Sequence, residues 1–458
     1  MAVTEAPREA LRLPRRVRGL PLVGNVVDMA RDPARFFHDC YRRCGPVFQI
    51  QILGDVRTVI AGAEAATFMA TREGRECLRS REFWQGLVDE WGATKVILGL
   101  DGEIHARLRG VMKRGFSKEA LEGRYAELIA ITDEVIDRDW KPGTTVPVVE
   151  ALQYMVVEQL GRILTGATPG KYLKDIRTAI LYILNVLVTH QRPGIMLLDP
   201  RYGNAKRRVR ELVDRMLADY DGAAVERGER ARNVIDDIMD AHRADGDLVH
   251  ADDLMVLLTG PYIAGLDTVA NTTASCVYAM LKHPEVLARM RADADAFFAG
   301  GVIDGDELMQ RLPAVQGAVM ETMRLWPIAV AAMRTATRDF EFCGHRIREG
   351  EMLYVATTVP HFMEAYYPEP ESFDIDRYEK PRSEHLRPGV YSPYGRGPHI
   401  CLGKSLAEVL LVVTMARLCH RLNLSLDPPD YVLRTKTAPT PGPAMSFRVK
   451  VESHRHAA

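Results

Sequence analysis

The stretch Tyr394-Gly395-Arg396-Gly397-Pro398-His399-Ile400-Cys401-Leu402-Gly403 places one cysteine in a glycine-rich loop directly before a long apolar helical run. A sulfur at the first turn of a helix faces backbone N–H groups without intrahelical partners and the positive end of the helix dipole, and both favour thiolate over thiol. Gly395, Gly397 and Gly403 remove the side chains that would hold this backbone away from a flat partner. Arg396 or His399 suits an anionic group on that partner. The competing reading treats Cys401 as a small buried hydrophobe, one of seven cysteines; its setting favours a metal ligand.

His399 and Cys401 also form a His-x-Cys pair of the kind that binds zinc. The next candidate ligands, Cys419 and His420, stand at the far end of the helical run, about 27 Å away at about 1.5 Å per residue. A tetrahedral site does not close across that gap. A metal here brings its own equatorial ligands, and haem with a proximal thiolate fits.

The chain has 458 residues, of which 47% are hydrophobic, enough for a large core. Lys and Arg number 60 against 61 Asp and Glu, a balance that predicts no nucleic-acid or acidic-substrate partner. The cysteines at 40, 44, 77, 276, 343, 401 and 419 are odd in number and scattered, which suits reduced thiols and a cytoplasmic location. Charges and prolines interrupt the first 25 residues before any span-length apolar run, and Val409 to Ala416 is too short to cross a bilayer. The expectation is a soluble protein with no membrane anchor.

Helical patterns dominate, near 103–115, 119–139, 149–166, 172–190, 204–227, 233–242, 251–282, 284–299, 313–325 and 402–421, after a first helix from Pro33 to Cys44. Val47 to Leu53 and Val56 to Ala61 read as a hairpin around Gly54-Asp55, with short strands near 340–347 and 352–356. The expected architecture is mainly α with a small β-rich lobe, a single large domain over 1–458. Residues 1–30 wrap the surface, and 31–70 with 328–360 and 422–452 form the β-rich lobe.

Three further constellations carry chemistry. Glu321 and Arg324, at i and i+3, share a face of a helix rich in apolar residues; a charge pair buried there needs further partners, and Arg377 is the candidate third member, with a structural role. Ala264-Gly265-Leu266-Asp267-Thr268 sets an acid beside an alcohol in an apolar stretch. Either Thr268 bonds back to a carbonyl one turn earlier and Asp267 reaches solvent, or Gly260 and Pro261 loosen the ladder and open a polar pocket beside Ala264 and Gly265. His105 and Arg109, followed by Lys113 and Arg114, form a basic stripe: a solvated face, or, with haem present, part of a set with Arg334 and His399 that neutralises two propionates.

The cysteine loop, Glu321-x-x-Arg324, Asp376-Arg377-Tyr378 and Ala264-Gly265-x-Asp267-Thr268 occur in an order and spacing that resemble the cytochrome P-450 family of haem-thiolate monooxygenases, in its soluble bacterial form. Tyr394, where the family usually has phenylalanine, and Pro261 in the central helix are departures. The resemblance implies haem b with Cys401 as its axial iron ligand, contacts from Tyr394, Gly395 and Gly403, and Thr268 and Asp267 as the distal alcohol and proton relay. It implies oxygen insertion from O2 into a hydrophobic terpenoid, steroid, fatty acid or polyketide, with Leu98, Val186, Ile263 and Val330 among the pocket walls. Oxidative coupling or ring closure on the same haem, or a haem-binding sensor, are the alternatives. No Gly-x-Gly-x-x-Gly segment or cysteine cluster is present, so electrons come from a separate ferredoxin or flavodoxin with its reductase, docking on Arg107, Lys113, Arg114 and Lys404.

Overall fold

A computed structural model describes residues 13–300 and 305–455. The chain divides into two compact units. The boundary passes through the cysteine stretch: residues up to Pro398 belong to the first unit and His399 onwards to the second. Residues 1–12 of the expected surface-wrapping segment lie outside the described residues.

The first unit comprises the chain up to Ser80 with Val330–Pro370 and Leu386–Pro398. Its helix Pro33–Cys44 starts where the Asp32 side chain accepts from the Arg35 N–H at 3.0 Å, has proline in its first turn, and stops at Gly45 with φ 83°. The hairpin forms with Val47–Ile52 antiparallel to Asp55–Ala61. Met352–Ala356 adds parallel to the second of these strands, and Ala332–Ala336, Leu78–Arg79 and Arg15–Arg16 complete a six-stranded sheet. Phe36 and Phe37 of the helix pack with Phe48, Ile50, Val59 and Phe362 as one buried cluster.

The second unit holds most of the helices. Leu254–Lys282 is its longest, 29 residues with most side chains buried, packed on Val148–Leu160, Pro313–Leu325 and Lys404–Arg421. A helix apolar around its whole circumference is a core helix, and this one is lined on several sides by others. Pro261 lies inside it. The expected helix at 119–139 starts only at Tyr125, after a single 3-10 turn at Glu119–Leu121, and that at 204–227 breaks after Ala218.

The tail strands correct the expected lobe. Arg448–His454 pairs with Leu422–Asp427 on one side and with Thr145–Pro147 on the other, all in the second unit, whereas 31–70 belongs to the first. Alternation marks these residues as strands but does not name their partner; short strands pair with whichever edge the helices bring near.

Candidate active site

A cavity with about 1130 Å³ of atom-free space, part of it open to solvent, lies within the second unit. One part of its wall is His399, Ile400, Cys401, Leu402 and Gly403 with Leu406, Ala407 and Leu410 of the helix Lys404–Arg421. Another is one face of the long helix, including Leu257, Gly260, Pro261, Ala264, Gly265 and Thr268. Leu87 comes from the short helix Gln85–Trp91, Val96, Ile97 and Leu98 from the segment before the helix Gly102–Lys113, and His105, Arg109 and Met112 from that helix itself.

Cys401 is the one cysteine in this wall. It precedes the Gly403 N-cap by two residues, rather than sitting in the first helical turn. Burial, the largest influence, pushes its thiol up, while the Gly403 N–H and the charge of Arg109 pull it down. The helix start therefore favours the thiolate as expected, but desolvation outweighs it until a cation meets the sulfur. Arg109 donates from Nη2 to the Ile400 carbonyl at 2.6 Å, fixing the backbone one residue before the cysteine. Among the described residues no cluster of His, Cys, Asp and Glu could hold a metal by itself, so a metal at Cys401 must carry its other ligands with it.

The nitrogen-bearing side chains collect at one part of the wall. The His105 and His399 rings lie 4.4 Å apart, and His399 Nε2 is 2.9 Å from Asp101 Oδ1. With Arg109, they give three nitrogen-rich side chains for the acidic groups of a flat cofactor. Arg396 is not a fourth: it donates to Ser392 Oγ at 2.9 Å and to the Tyr391 carbonyl at 2.7 Å in the first unit. Arg334 and Tyr394 also belong to the first unit, where Arg334 donates to the Met333 carbonyl at 2.6 Å.

The glycines separate by cause. Gly395 has φ 71° and Gly397 φ 75°, and a Cβ on Gly397 would come within 2.2 Å of the Met69 carbonyl oxygen. Gly403 has no such conflict; a Cβ there would make only an ordinary 3.6 Å contact with Phe116. Gly265 lines the cavity, yet its Cβ would meet Leu160 at 2.7 Å, so helix packing also demands it.

Thr268 and Asp267 part company. Thr268 lines the cavity and donates from Oγ1 to the Ala264 carbonyl at 2.7 Å. Asp267 is buried and reaches neither solvent nor the cavity wall. It accepts from Gln153 Nε2 at 2.9 Å and Thr440 Oγ1 at 2.5 Å, and lies 3.3 Å from Lys436 Nζ. Gln153 in turn accepts from Arg177 Nε at 2.7 Å. Sequence reasoning missed Lys436, Thr440 and Gln153, because nothing local to them marks a partner more than a hundred residues away.

Leu98 and Ile263 line the cavity; Val186 and Val330 do not. Val186 is buried in the π turn Leu184–Val188, and Val330 packs in the first unit's core. Glu321 binds Arg324 at 2.7 and 2.8 Å, Arg377 at 3.1 Å, the Tyr378 hydroxyl at 2.7 Å and the Asp374 N–H at 3.0 Å, and Arg377 reaches Glu384 at 3.1 Å. Glu384 is the second carboxylate that balances two buried guanidiniums. The expected docking patch is largely paired: Arg107 binds Asp245 at 2.6 Å, Arg114 binds Asp237, and Lys404 is 3.9 Å from Glu408.

A family model described as Cytochrome P450 matches residues 14–445. The chain belongs to the cytochrome P450 family. It is therefore a haem monooxygenase, an oxidoreductase, whose cofactor is haem b. Relatives of this cytochrome P450 include the protein named "Putative cytochrome P450 139" of Mycobacterium tuberculosis, 26% identical over 84% of this chain and 90% of that one. A sterol 14alpha-demethylase of Mycolicibacterium vanbaalenii is 24% identical over 89% of this chain and 90% of its own length. Two solved structures share the fold at 20% identity: the haem domain of cytochrome P450DA, with TM-score 0.81 over 98% of this chain and 99% of that one, and a retinoic-acid-bound cyanobacterial CYP120A1, with TM-score 0.79 over 97% and 100%. The residues of the cavity fit haem: one sulfur donor, an apolar wall, and the Arg109 guanidinium with the His105 and His399 rings as nitrogen donors for its carboxylates. No helix among the described residues is long and apolar enough to cross a membrane.

Proposed function

We propose that this cytochrome P450 inserts one oxygen atom from O2 into a hydrophobic small molecule, by hydroxylation or epoxidation, with Cys401 as the axial thiolate. The observation that carries the reading is that Cys401 and Thr268 line the same apolar cavity. Haem, when bound, supplies the oxidising chemistry, and a thiolate ligand adds electron density that favours cleavage of the O–O bond. His105, Arg109 and His399 hold its propionates, and Arg109 also fixes the cysteine loop through Ile400. Thr268, its own proton engaged by the Ala264 carbonyl, presents oxygen lone pairs to the cavity and positions a proton donor there. Asp267 holds the relay's charge behind it, paired with Lys436; when that contact loosens, the carboxylate takes up a proton and passes it on toward Thr268.

The apolar wall supports a substrate of the terpenoid, steroid, fatty-acid or polyketide kind. A relative named for sterol demethylation and a structural neighbour holding retinoic acid support the first two. A ferredoxin or flavodoxin with its reductase supplies electrons; since Arg107 and Arg114 are paired, Lys113 and its exposed neighbour Lys118 carry the docking charge.

The test is a reduced carbon monoxide difference spectrum of the wild type and Cys401→Ser, followed by turnover of apolar candidates under isotopically labelled O2 with a surrogate ferredoxin pair. The thiolate-haem band disappears in the variant, and product carries one labelled oxygen. Coupled or cyclised product without label contradicts oxygen insertion.

A further inference from the structure

The long helix has one position where its backbone ladder is chemically incomplete. Pro261, in its interior, has no N–H, so the helical hydrogen bond from residue 261 to the Leu257 carbonyl does not form, and the ring crowds that carbonyl aside. Elsewhere in the same helix, hydroxyls add bonds to carbonyls: Thr259 to Met255 at 2.7 Å, Thr268 to Ala264 at 2.7 Å, Thr272 to Thr268 at 2.9 Å and Thr273 to Val269 at 2.8 Å. Among the described residues no side chain donates to the carbonyl of Leu257.

The gap opens toward the cavity. Leu257, Gly260, Pro261, Ala264 and Thr268 all line it, and their spacing of three, four, seven and eleven is one face of a helix. Leu87, Val96, Ile97 and Val256, which line the same cavity, bring only apolar side chains to it. A buried acceptor without a donor is costly, and a ligand that supplies the donor recovers that cost on binding. Alanine at 261 would make a better helix; what proline supplies instead is an open acceptor.

We propose that the Leu257 carbonyl is a hydrogen-bond acceptor for substrate, exposed by Pro261, and that the substrate carries a hydroxyl or N–H donor at the end remote from the carbon oxidised. This rests on the haem monooxygenase reading, with reaction beside Thr268. Eleven residues separate Leu257 from Thr268, about 16 Å along the axis at about 1.5 Å per residue. The donor and the reacting carbon are therefore separated by roughly three helical turns, which selects elongated molecules: long-chain alcohols or amines, or hydroxylated polycyclic lipids, over compact ones.

The holoenzyme is titrated with hexadecanol and with hexadecyl methyl ether, which has the same chain and no donor, following the haem absorption and, in parallel, the heat of binding. The wild type binds the alcohol about tenfold more tightly. Pro261→Ala and Pro261→Leu, which both restore the N–H, bring the two ligands to within about twofold of each other, and Pro261→Ala melts at a higher temperature. Equal binding of alcohol and ether by the wild type, or an undiminished preference in both variants, overturns the proposal. If the functional reading itself fails, the thiolate-haem spectrum is missing before any ligand is added; if only this inference fails, the spectrum is intact and the preference absent.

Discussion

The Asp267 carboxylate lies 3.3 Å from the Lys436 ammonium, an ion pair whose acidic member is fully buried. Burial, the largest influence on Lys436, pulls its pKa down, and Asp267 pulls it back up. Removing one member of such a pair strands the other, whereas removing both does not. Lys436→Met is expected to destabilise by about 3 kcal/mol, with Asp267→Asn in the same chain restoring part of it. A double-mutant cycle by urea unfolding gives a coupling of about 1 kcal/mol or more; a coupling near zero means that the pair carries no charge interaction.

Thr268→Ala removes the hydroxyl from the cavity wall and leaves the helix intact, since the lost bond to Ala264 duplicates the backbone ladder. Consumption of reductant continues, while the share that ends in product drops by on the order of tenfold to a hundredfold. The measurement is product and peroxide formed per reductant oxidised. Unchanged coupling rejects a proton-positioning role for Thr268.

Asp253 ties the loop bearing Val96, Ile97 and Leu98 to the start of the long helix. It accepts from the Thr94 N–H at 2.7 Å, the Thr94 hydroxyl at 2.9 Å and the His250 N–H at 3.3 Å, and pairs with Lys95 at 3.1 Å. Burial, the largest single influence, pushes its pKa up, but the donors from Thr94 and Lys95 together hold it below the usual value. A folded pKa below the unfolded value of about 3.9 means that the stabilisation is present above that pH and is lost as pH falls through the folded pKa. Asp253→Asn therefore costs about 2 kcal/mol at neutral pH, and its deficit against the wild type shrinks in acid melts. A deficit that stays constant from neutral to acid pH contradicts this.

Glu321 is the shared acceptor of two buried guanidiniums, a phenol and a backbone N–H. Glu321→Gln leaves two buried arginines opposite the lone carboxylate of Glu384. A loss of about 3–5 kcal/mol is expected, read as a lower urea midpoint, with Arg377→Lys milder because a lysine keeps the charge but not the fork. A Glu321→Gln protein as stable as the wild type would show that the network is dispensable.

Reversing the exposed charges in Lys113→Glu with Lys118→Glu should slow reduction by ferredoxin most at low ionic strength, with the difference vanishing as salt rises. Stopped-flow reduction measures it. Equal rates at low salt place the docking surface elsewhere.

The readable part of this molecule is local. Apolar spacing gave away the helix from Leu254 to Lys282, and the residue types around Cys401 set apart the one cysteine that lines the cavity, because both signals are local in the chain. The Asp267 partners were hidden: Lys436 and Thr440 read as ordinary polar residues of a tail strand, and only the three-dimensional path of the chain brings them to the acid. The same holds for Asp101 beside His399 and for Glu384 beside Arg377. The tail strands were legible as strands but not as partners of Thr145–Pro147, since edge pairing is decided by helix packing rather than by alternation.

The small ribbon in which Thr435-Lys436 pairs with Gly442-Pro443 delivers both Lys436 and Thr440 to Asp267, and its Gly442 sits so close to Asn271 that a Cβ would fall 2.5 Å from the amide carbon. Anyone building fusions or trimmed versions of this enzyme meets a practical boundary there. A reductase spliced in upstream of the ribbon, or a shortened end that loosens it, changes the surroundings of Asp267 even though no residue of the cavity wall has been touched.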